Sequence, residues 1–461
     1  MLPVYPKVNI VPNALANSFN KLKRAIAARG FAYNVGVLAG GTALAQGIGV
    51  LTAPILSRLY TPEDFGLLGV YVSIFGILLA VNSLRYEYAI TLPKADDEAA
   101  NLLALTLLLV VITTVLFEIA LWLLGEPLAA WANAPALRPY LWLLPLSLLG
   151  AGFYQAFNYW AIRKQAFGSI ARTRFTQSFA GAVGPIFIGL AAAGPVGLLI
   201  GHILSQFVGS GGLARQAWQR DQAVLRQISP GGMWRAARAH YRFPVISSWS
   251  AIVNAVGLNA PRLLLSSLYG TDVAGWFLFG QRLISLPLTL VGSSVGQVFL
   301  GAASRLANEN PAGLEAFYLK TARRLFLVGL LPTALLMLAG GPFFAWVFGA
   351  EWETAGLYTQ IMAPAFLVQF VSSSLSLIMM VIQRQGAQLV WDILRLALVI
   401  LALWGASALG MDGTAAVALY AGSMVLTYLL LFGMQWQAAR RFSLQNHPVA
   451  QTQKVTANGE E

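Results

Sequence analysis

"SRLYTPEDFG", residues 57–66, returns as "SSLYGTDVAG" at residues 266–275. Ser57 matches Ser266, Leu59 matches Leu268, Tyr60 matches Tyr269, Glu63 matches Asp272 and Gly66 matches Gly275, all at an offset of 209. Two further echoes keep the order: "GEPLAAW" (125–131) with "GGPFFAW" (340–346), and "IRKQ" (162–165) with "IQRQ" (382–385). The offset drifts upward along the chain, as loop insertions produce. Self-similarity in conserved order means two copies of one structural unit.

Composition says what that unit is made of. The chain has 461 residues, 57% hydrophobic and 10% charged, with mean hydropathy +0.66; soluble chains carry about 25% charged residues. Apolar runs long enough to cross a bilayer as helices recur along almost its whole length. We read twelve spans: 31–56, 66–92, 99–124, 139–162, 174–193, 195–213, 243–268, 275–302, 322–345, 357–380, 388–409 and 414–436. The expected class is an all-α polytopic membrane protein. Its expected organisation is an amphipathic segment (1–30), an N-lobe (31–213), a linker (214–242), a C-lobe (243–436) and a tail (437–461). An even number of spans per half makes the repeat parallel, about an axis along the membrane normal. Transporters of that kind bind their substrate between the lobes near the midplane and rock about it.

The net charge of +12 has a topological explanation. With the N-terminus placed inside, only Arg58 and Arg138 of the 30 basic residues fall in outer loops. Arg85, Arg262, Arg282 and Arg395 fall within spans, and the remaining 24 lie inside. That asymmetry puts both termini in the cytoplasm and removes the need for a nucleic-acid partner. Residues 13–29 place Leu15, Phe19, Leu22 and Ile26 on one stripe with Lys21, Lys23 and Arg24 off it, as in a helix lying on the inner leaflet. In the 214–242 segment, "ISPGG" separates two short basic stretches, and the polar tail after Phe442 reads as unstructured.

Several chemistries are excluded. There is no cysteine, and His202, His240 and His447 lie far apart, so neither thiol catalysis nor a His-based metal site is expected. No Gly-x-x-x-x-Gly-Lys-[Ser/Thr] loop is present to bind a nucleotide, and no cofactor is called for. "GSSVG" (292–296) has a nucleophile-elbow spacing but lies inside a span, without the strand-to-helix turn that motif requires.

The stretch from Leu56 to Leu105, "LSRLYTPEDFG…LRYEYAITLPKADDEAANLLAL", resembles the opening of the bacterial polysaccharide-exporter family. These are the Wzx-type flippases of the MOP superfamily, which also holds the MATE drug exporters and the lipid II flippase MurJ. Ser57 to Tyr60, Glu63 to Gly66, Arg85-Tyr86-Glu87 and Leu92-Pro93-Lys94 carry the likeness. The resemblance implies a MATE-like fold of about 12 transmembrane helices in two six-helix lobes around a V-shaped cationic cavity. It implies a cargo of undecaprenyl-diphosphate-linked oligosaccharide, moved from the inner to the outer leaflet of the bacterial cytoplasmic membrane. The product would be a surface polysaccharide: O-antigen, capsule or exopolysaccharide. Membrane lipids are expected around it, with a polysaccharide polymerase and a chain-length regulator as candidate partners. The alternatives are a MATE-type ion-coupled exporter, a membrane-bound polymerase or ligase, and an assembly scaffold.

Charges inside spans single out the candidate site residues. An intramembrane arginine costs about 2.5–3.5 kcal/mol on insertion scales and therefore faces a polar cavity or a partner. Arg282 and Arg262 sit against the positive-inside bias, and a guanidinium forks onto phosphate oxygens, so both are candidates for the cargo's diphosphate. Arg85, at the inner end of span 2, either snorkels to the headgroups or gathers the diphosphate at the cavity mouth. Glu87, two residues on, does not face Arg85 on a continuous helix and is a gating candidate. Asp392 and Arg395 are spaced to pair on one helix face, structurally or as a coupling site. Glu118 stands alone in its span as a coupling candidate. In "FYQAFNYW" (153–160), Tyr154 and Trp160 belong either to an interfacial aromatic belt or to a surface that stacks on sugar.

Overall fold

The computed structural model describes residues 40–191, 194–287, 292–382 and 384–445. The stripe at 13–29 and the tail beyond 445 lie outside the described residues. Among those described there is no strand. The long helices are α1 (40–59), α2 (Pro62–Leu79), α4 (Asp96–Trp131), α5 (Leu143–Arg163), α6 (Phe167–Ala191) and α7 (Val196–Leu225). In the second half they are α9 (Ser248–Tyr269), α10 (Thr271–Pro287), α11 (Ser293–Glu309), α12 (Leu314–Phe348), α13 (Glu353–Ser374), α15 (Gln385–Ala408) and α16 (Gly413–Gln445). Shorter helices are α3 (Tyr86–Ala89), α8 (Pro230–Ala239) and α14 (Ile378–Val381). With α10–α11 and α13–α14 each counted as one crossing, twelve segments among the described residues run back and forth through the bundle, as expected.

Local sequence explains the helix starts. Thr61-Pro62-Glu63-Asp64 builds a capping box: the Asp64 amide donates to Thr61 Oγ1 at 3.2 Å and the Thr61 amide to Asp64 Oδ2 at 3.0 Å. Pro62 supplies a preset φ in the first turn. At the matching point of the second half, Gly270 (φ +96°) ends α9 and lets the chain reverse into α10. The "ISPGG" breaker starts α8, with Ser229 Oγ accepting from the Gly232 amide at 3.1 Å.

Among the described residues, eight helical segments are long and apolar enough by themselves to cross a membrane. Those that fall short are α1, α5, α6 and the α10–α11 pair, and α1, α5, α6 and α10 all line the central cavity. Gln46, Tyr154, Gln177, Ser178 and Arg282 on these helices line that cavity.

Two spans differ from expectation. Span 2 does not continue to residue 92: α2 stops at Leu79, and the chain turns through Leu84 (φ +49°) and Arg85 (φ +65°) before α3. Left-handed backbone at two successive non-glycine residues ends any helix there. At the other end of the chain, α16 runs on past the expected end of span 12 at 436 as far as Gln445, so residues 443–445 are helical and not part of an unstructured tail.

Within the first half, α6 and α5 pack on α7 and α4 packs on α5; within the second, α12 and α16 pack on α13 and α15 packs on α16 and α9. The halves meet where α2 lies along α10 and α9. One end of the bundle carries the connections at 60–61, 132–142, 270 and 349–352. The opposite end carries those at 80–95, 164–166, 226–247 and 310–313, with most of the basic residues.

Candidate functional site: a sealed cavity between the two halves

The repeated motif builds a seal at the 60/270 end. A Cβ added to Gly66 would stand 1.9 Å from the Thr271 carbonyl oxygen, and one added to Gly275 would stand 1.8 Å from that of Pro62. Only glycine allows backbones this close. Ser57 Oγ donates to the Phe348 carbonyl at 3.0 Å, and its counterpart Ser266 donates to the Ala132 carbonyl at 2.7 Å. Each serine thus ties one half to the end of the long helix of the other. An aromatic plug fills the space between. Phe65 and Phe279 meet Trp352 at ring separations of 5.1 and 4.2 Å, and Trp352 Nε1 donates to the Ser57 carbonyl at 2.8 Å.

Below the seal lies a cavity of about 470 Å³. Helix α10 contributes Leu278, Arg282 and Leu283, and α2 contributes Leu68 and Val72. Polar groups come chiefly from the first half: Gln46 on α1, Tyr154 on α5, Gln177 and Ser178 on α6, and His202, Ser205 and Gln206 on α7. Among the described residues that line it there is no aspartate or glutamate, and Arg282 is the one arginine or lysine.

Arg282 stands three turns into α10, about 16 Å from its start at 1.5 Å per residue, which is close to the middle of a ~30 Å hydrocarbon core. Its side chain is accessible within the cavity and reaches α1, where Nη2 lies 3.6 Å from the position of a Cβ on Gly49. Among the described residues no carboxylate pairs with it and no side chain hydrogen-bonds its guanidinium. The repeat places Ser73 at the corresponding position of α2, so this charge belongs to one half only.

Of the other candidates, Tyr154 lines the cavity and the rest do not. Arg262 is held within the second half, with Nε 3.2 Å from Gln281 Oε1 and Nη1 3.4 Å from Asn259 Oδ1. Arg85 lies at the basic end, donating to Tyr88 Oη at 2.9 Å with its guanidinium 5.1 Å from that ring. Because the helix has broken before it, Arg85 does reach Glu87, at 3.7 Å, contrary to the expectation from a continuous helix. Glu87 is buried and accepts from Ser83 Oγ. Asp392 lies 3.4 Å from the buried Arg395, which stacks over Trp391 at 4.8 Å. Glu118 is on the outer surface of α4, in a depression near the sealed end with Glu126 and Arg138. Trp160 is 2% exposed and donates to Asp221 Oδ2 at 2.9 Å, so its ring faces the core of the basic end and not the cavity.

Sequence reasoning missed the polar face on α1, α6 and α7. The signal was present as amides and hydroxyls inside otherwise apolar spans, but uncharged residues do not stand out in a hydropathy reading. It also counted Arg163 only as a topological charge. That side chain donates to the Pro93, Ala95, Lys94 and Ile90 carbonyls at 2.6, 3.1, 3.3 and 3.4 Å and to Asp96 at 2.8 Å, clamping the connection between α3 and α4.

A family model described as "Polysaccharide biosynthesis protein" matches residues 55–356, more than half of the chain. The chain belongs to that family. The matched region contains the whole Leu56–Leu105 stretch on which the resemblance to polysaccharide exporters rests. A succinoglycan biosynthesis transport protein, ExoT of Rhizobium meliloti (strain 1021), is 25% identical over 316 residues. Those residues are 67% of this chain and 60% of the relative, so the match spans less than two thirds of that protein's length. Among solved structures, the lipid II flippase MurJ in an inward closed conformation superposes with a TM-score of 0.67 at 11% identity, over 91% of this chain and 92% of that one. An inward-facing multidrug resistance MATE family transporter of the MOP superfamily gives 0.63 at 16%, over 88% and 96%. These likenesses establish the fold, which is that of the MOP superfamily.

Proposed function

We propose that this multi-pass membrane protein flips a polyprenyl-diphosphate-linked oligosaccharide, undecaprenyl in bacteria, across the cytoplasmic membrane for surface-polysaccharide assembly. The observation that carries this reading is Arg282: one unpaired guanidinium near mid-membrane, in a carboxylate-free cavity closed at one end by the repeat motif. A diphosphate supplies the paired oxygens that such a group lacks. The family match and the transport relative in succinoglycan biosynthesis support polysaccharide precursors as cargo. The basic end is assigned to the cytoplasm by the positive-inside rule, so the sealed end faces outward and the cavity stands in its outward-closed state. Residues 31–213 and 243–436 act as the two lobes that rock about α2 and α10. An exporter of organic cations is disfavoured, because the lining offers a cation and no acid to such cargo.

The test is genetic and chemical. In a host lacking a redundant flippase, the gene is deleted and replaced by wild type or Arg282→Ala, and lipid-linked oligosaccharides are extracted. Build-up of complete repeat units with loss of surface polymer, reversed by wild type and not by Arg282→Ala, is the expected result. Normal surface polymer in the deletion strain refutes the reading.

A further inference from the structure

We propose that the α1–α6–α7 face of the cavity is a subsite for an uncharged sugar, so that the protein selects cargo whose diphosphate-proximal sugar is neutral. This deepens the flippase reading and rests on it. Three observations converge.

The first is chemical. Gln46, Gln177, Gln206, Ser178 and Ser205 bring amides and hydroxyls to one surface, with the Tyr154 ring beside them. Among the described residues the Gln46 and Gln177 amides have no hydrogen-bond partner. A carboxamide presents a donor and an acceptor side by side, and each sugar hydroxyl is both. A uronate or other acidic sugar would find no cation among the described residues that line this face; one turn away on α6, Arg174 is engaged by Thr42 Oγ1 of α1 at 2.8 Å. Arg282, across the cavity, is the single charge available for the diphosphate.

The second is that the face is built, not incidental. Gln177 packs over a glycine notch, where a Cβ on Gly209 would lie 2.3 Å from its Nε2. Gly150 and Gly181 make similar room for Gln206 and Ser205, whose Cβ atoms would each stand 3.1 Å from an added Cβ. His202 is fixed by Ser147 Oγ at 3.3 Å from Nδ1 and by the edge contact of Phe75 at 4.7 Å, and its Nε2 lies 3.4 Å from Gln206 Nε2. Side chains held this way lose little freedom when a ligand arrives.

The third is size. At about 30 Å³ per water, a cavity of about 470 Å³ holds on the order of fifteen waters, which one or two sugar rings would displace. The subsite therefore reads the sugars next to the diphosphate and not the whole repeat unit.

The experiment measures binding to the purified full chain in nanodiscs with three probes: farnesyl diphosphate, farnesyl-diphosphate-glucose and farnesyl-diphosphate-glucuronate. Glucose is expected to tighten binding about tenfold over the sugar-free probe, the equivalent of one or two good hydrogen bonds, and glucuronate to give no gain. In the variant Gln46→Leu/Gln177→Leu, checked for unchanged thermal stability, the glucose gain falls below about threefold; each single variant gives an intermediate gain if the double variant does not fold. An equal or greater gain from glucuronate, or a glucose gain that survives the substitutions, overturns the subsite alone. Failure of farnesyl diphosphate to bind, or binding indifferent to Arg282→Ala, overturns the flippase reading and the subsite with it.

Discussion

Gly66 and Gly275 occupy equivalent positions in the two halves, and each brings its helix against the first turn of the other's: Gly66 against Thr271, Gly275 against Pro62. Thr271 is itself the repeat counterpart of Pro62. The contact is thus its own image under the pseudo-two-fold that relates the halves, a symmetric seal written by one motif used twice.

That seal predicts how the cavity is gated. Gly66→Val and Gly275→Val each place carbon atoms inside van der Waals distance of a backbone oxygen, which must move away. The chain has no cysteine, so Gln46→Cys reports access to the cavity against a silent background. Labelling by a membrane-impermeant maleimide added from outside is expected to be slow in the parent and at least about tenfold faster in either valine variant. Equal rates would place the gate elsewhere.

Trp352 predicts the strength of the plug. Trp352→Ala removes a buried ring that touches Phe65 and Phe279, at a cost of about 3–5 kcal/mol. Trp352→Phe keeps most of the packing and loses the bond to the Ser57 carbonyl, costing about 1 kcal/mol beyond the change in shape. Thermal unfolding in detergent, followed by tryptophan fluorescence, should order the three proteins accordingly.

Arg163 predicts an order-dependent turn. Lysine cannot reproduce a planar fork that reaches several carbonyls and Asp96 at once. Arg163→Lys is expected to speed amide hydrogen exchange across residues 90–96 by about tenfold, with little change in α12 or α13. Unchanged exchange in this segment would show that the neighbouring bridge from Lys164 Nζ to Asp96 Oδ2, at 2.6 Å, suffices.

Asp392 and Arg395 predict a non-additive pair. Asp392→Asn leaves Arg395 buried without a carboxylate and should destabilise the protein by about 3 kcal/mol. The double variant Asp392→Asn/Arg395→Met should recover much of that loss. A double variant that is stable but cannot rescue polymer assembly would make the pair a coupling site as well.

The sequence by itself determined the class, the number of crossings and the doubling. Each rests on a local or periodic property: the length of an apolar run, the side on which arginines accumulate, a motif recurring at 209. It also picked out Arg282, because a charge inside a span is conspicuous. Tertiary structure decided what those residues meet. No local pattern distinguishes Arg282, free in the cavity, from Arg262, occupied by Gln281 and Asn259, or from Arg395, paired with Asp392. All three lie in similar apolar helices, and their fates depend on which neighbours the packing brings. The break at Leu84 and Arg85 was hidden for a related reason: apolarity continues through it, while the segment beyond it, 90–96, is held by the Arg163 clamp from roughly seventy positions away. The amide-rich face was assembled from three helices, and no single one of them carries enough of it to be read alone.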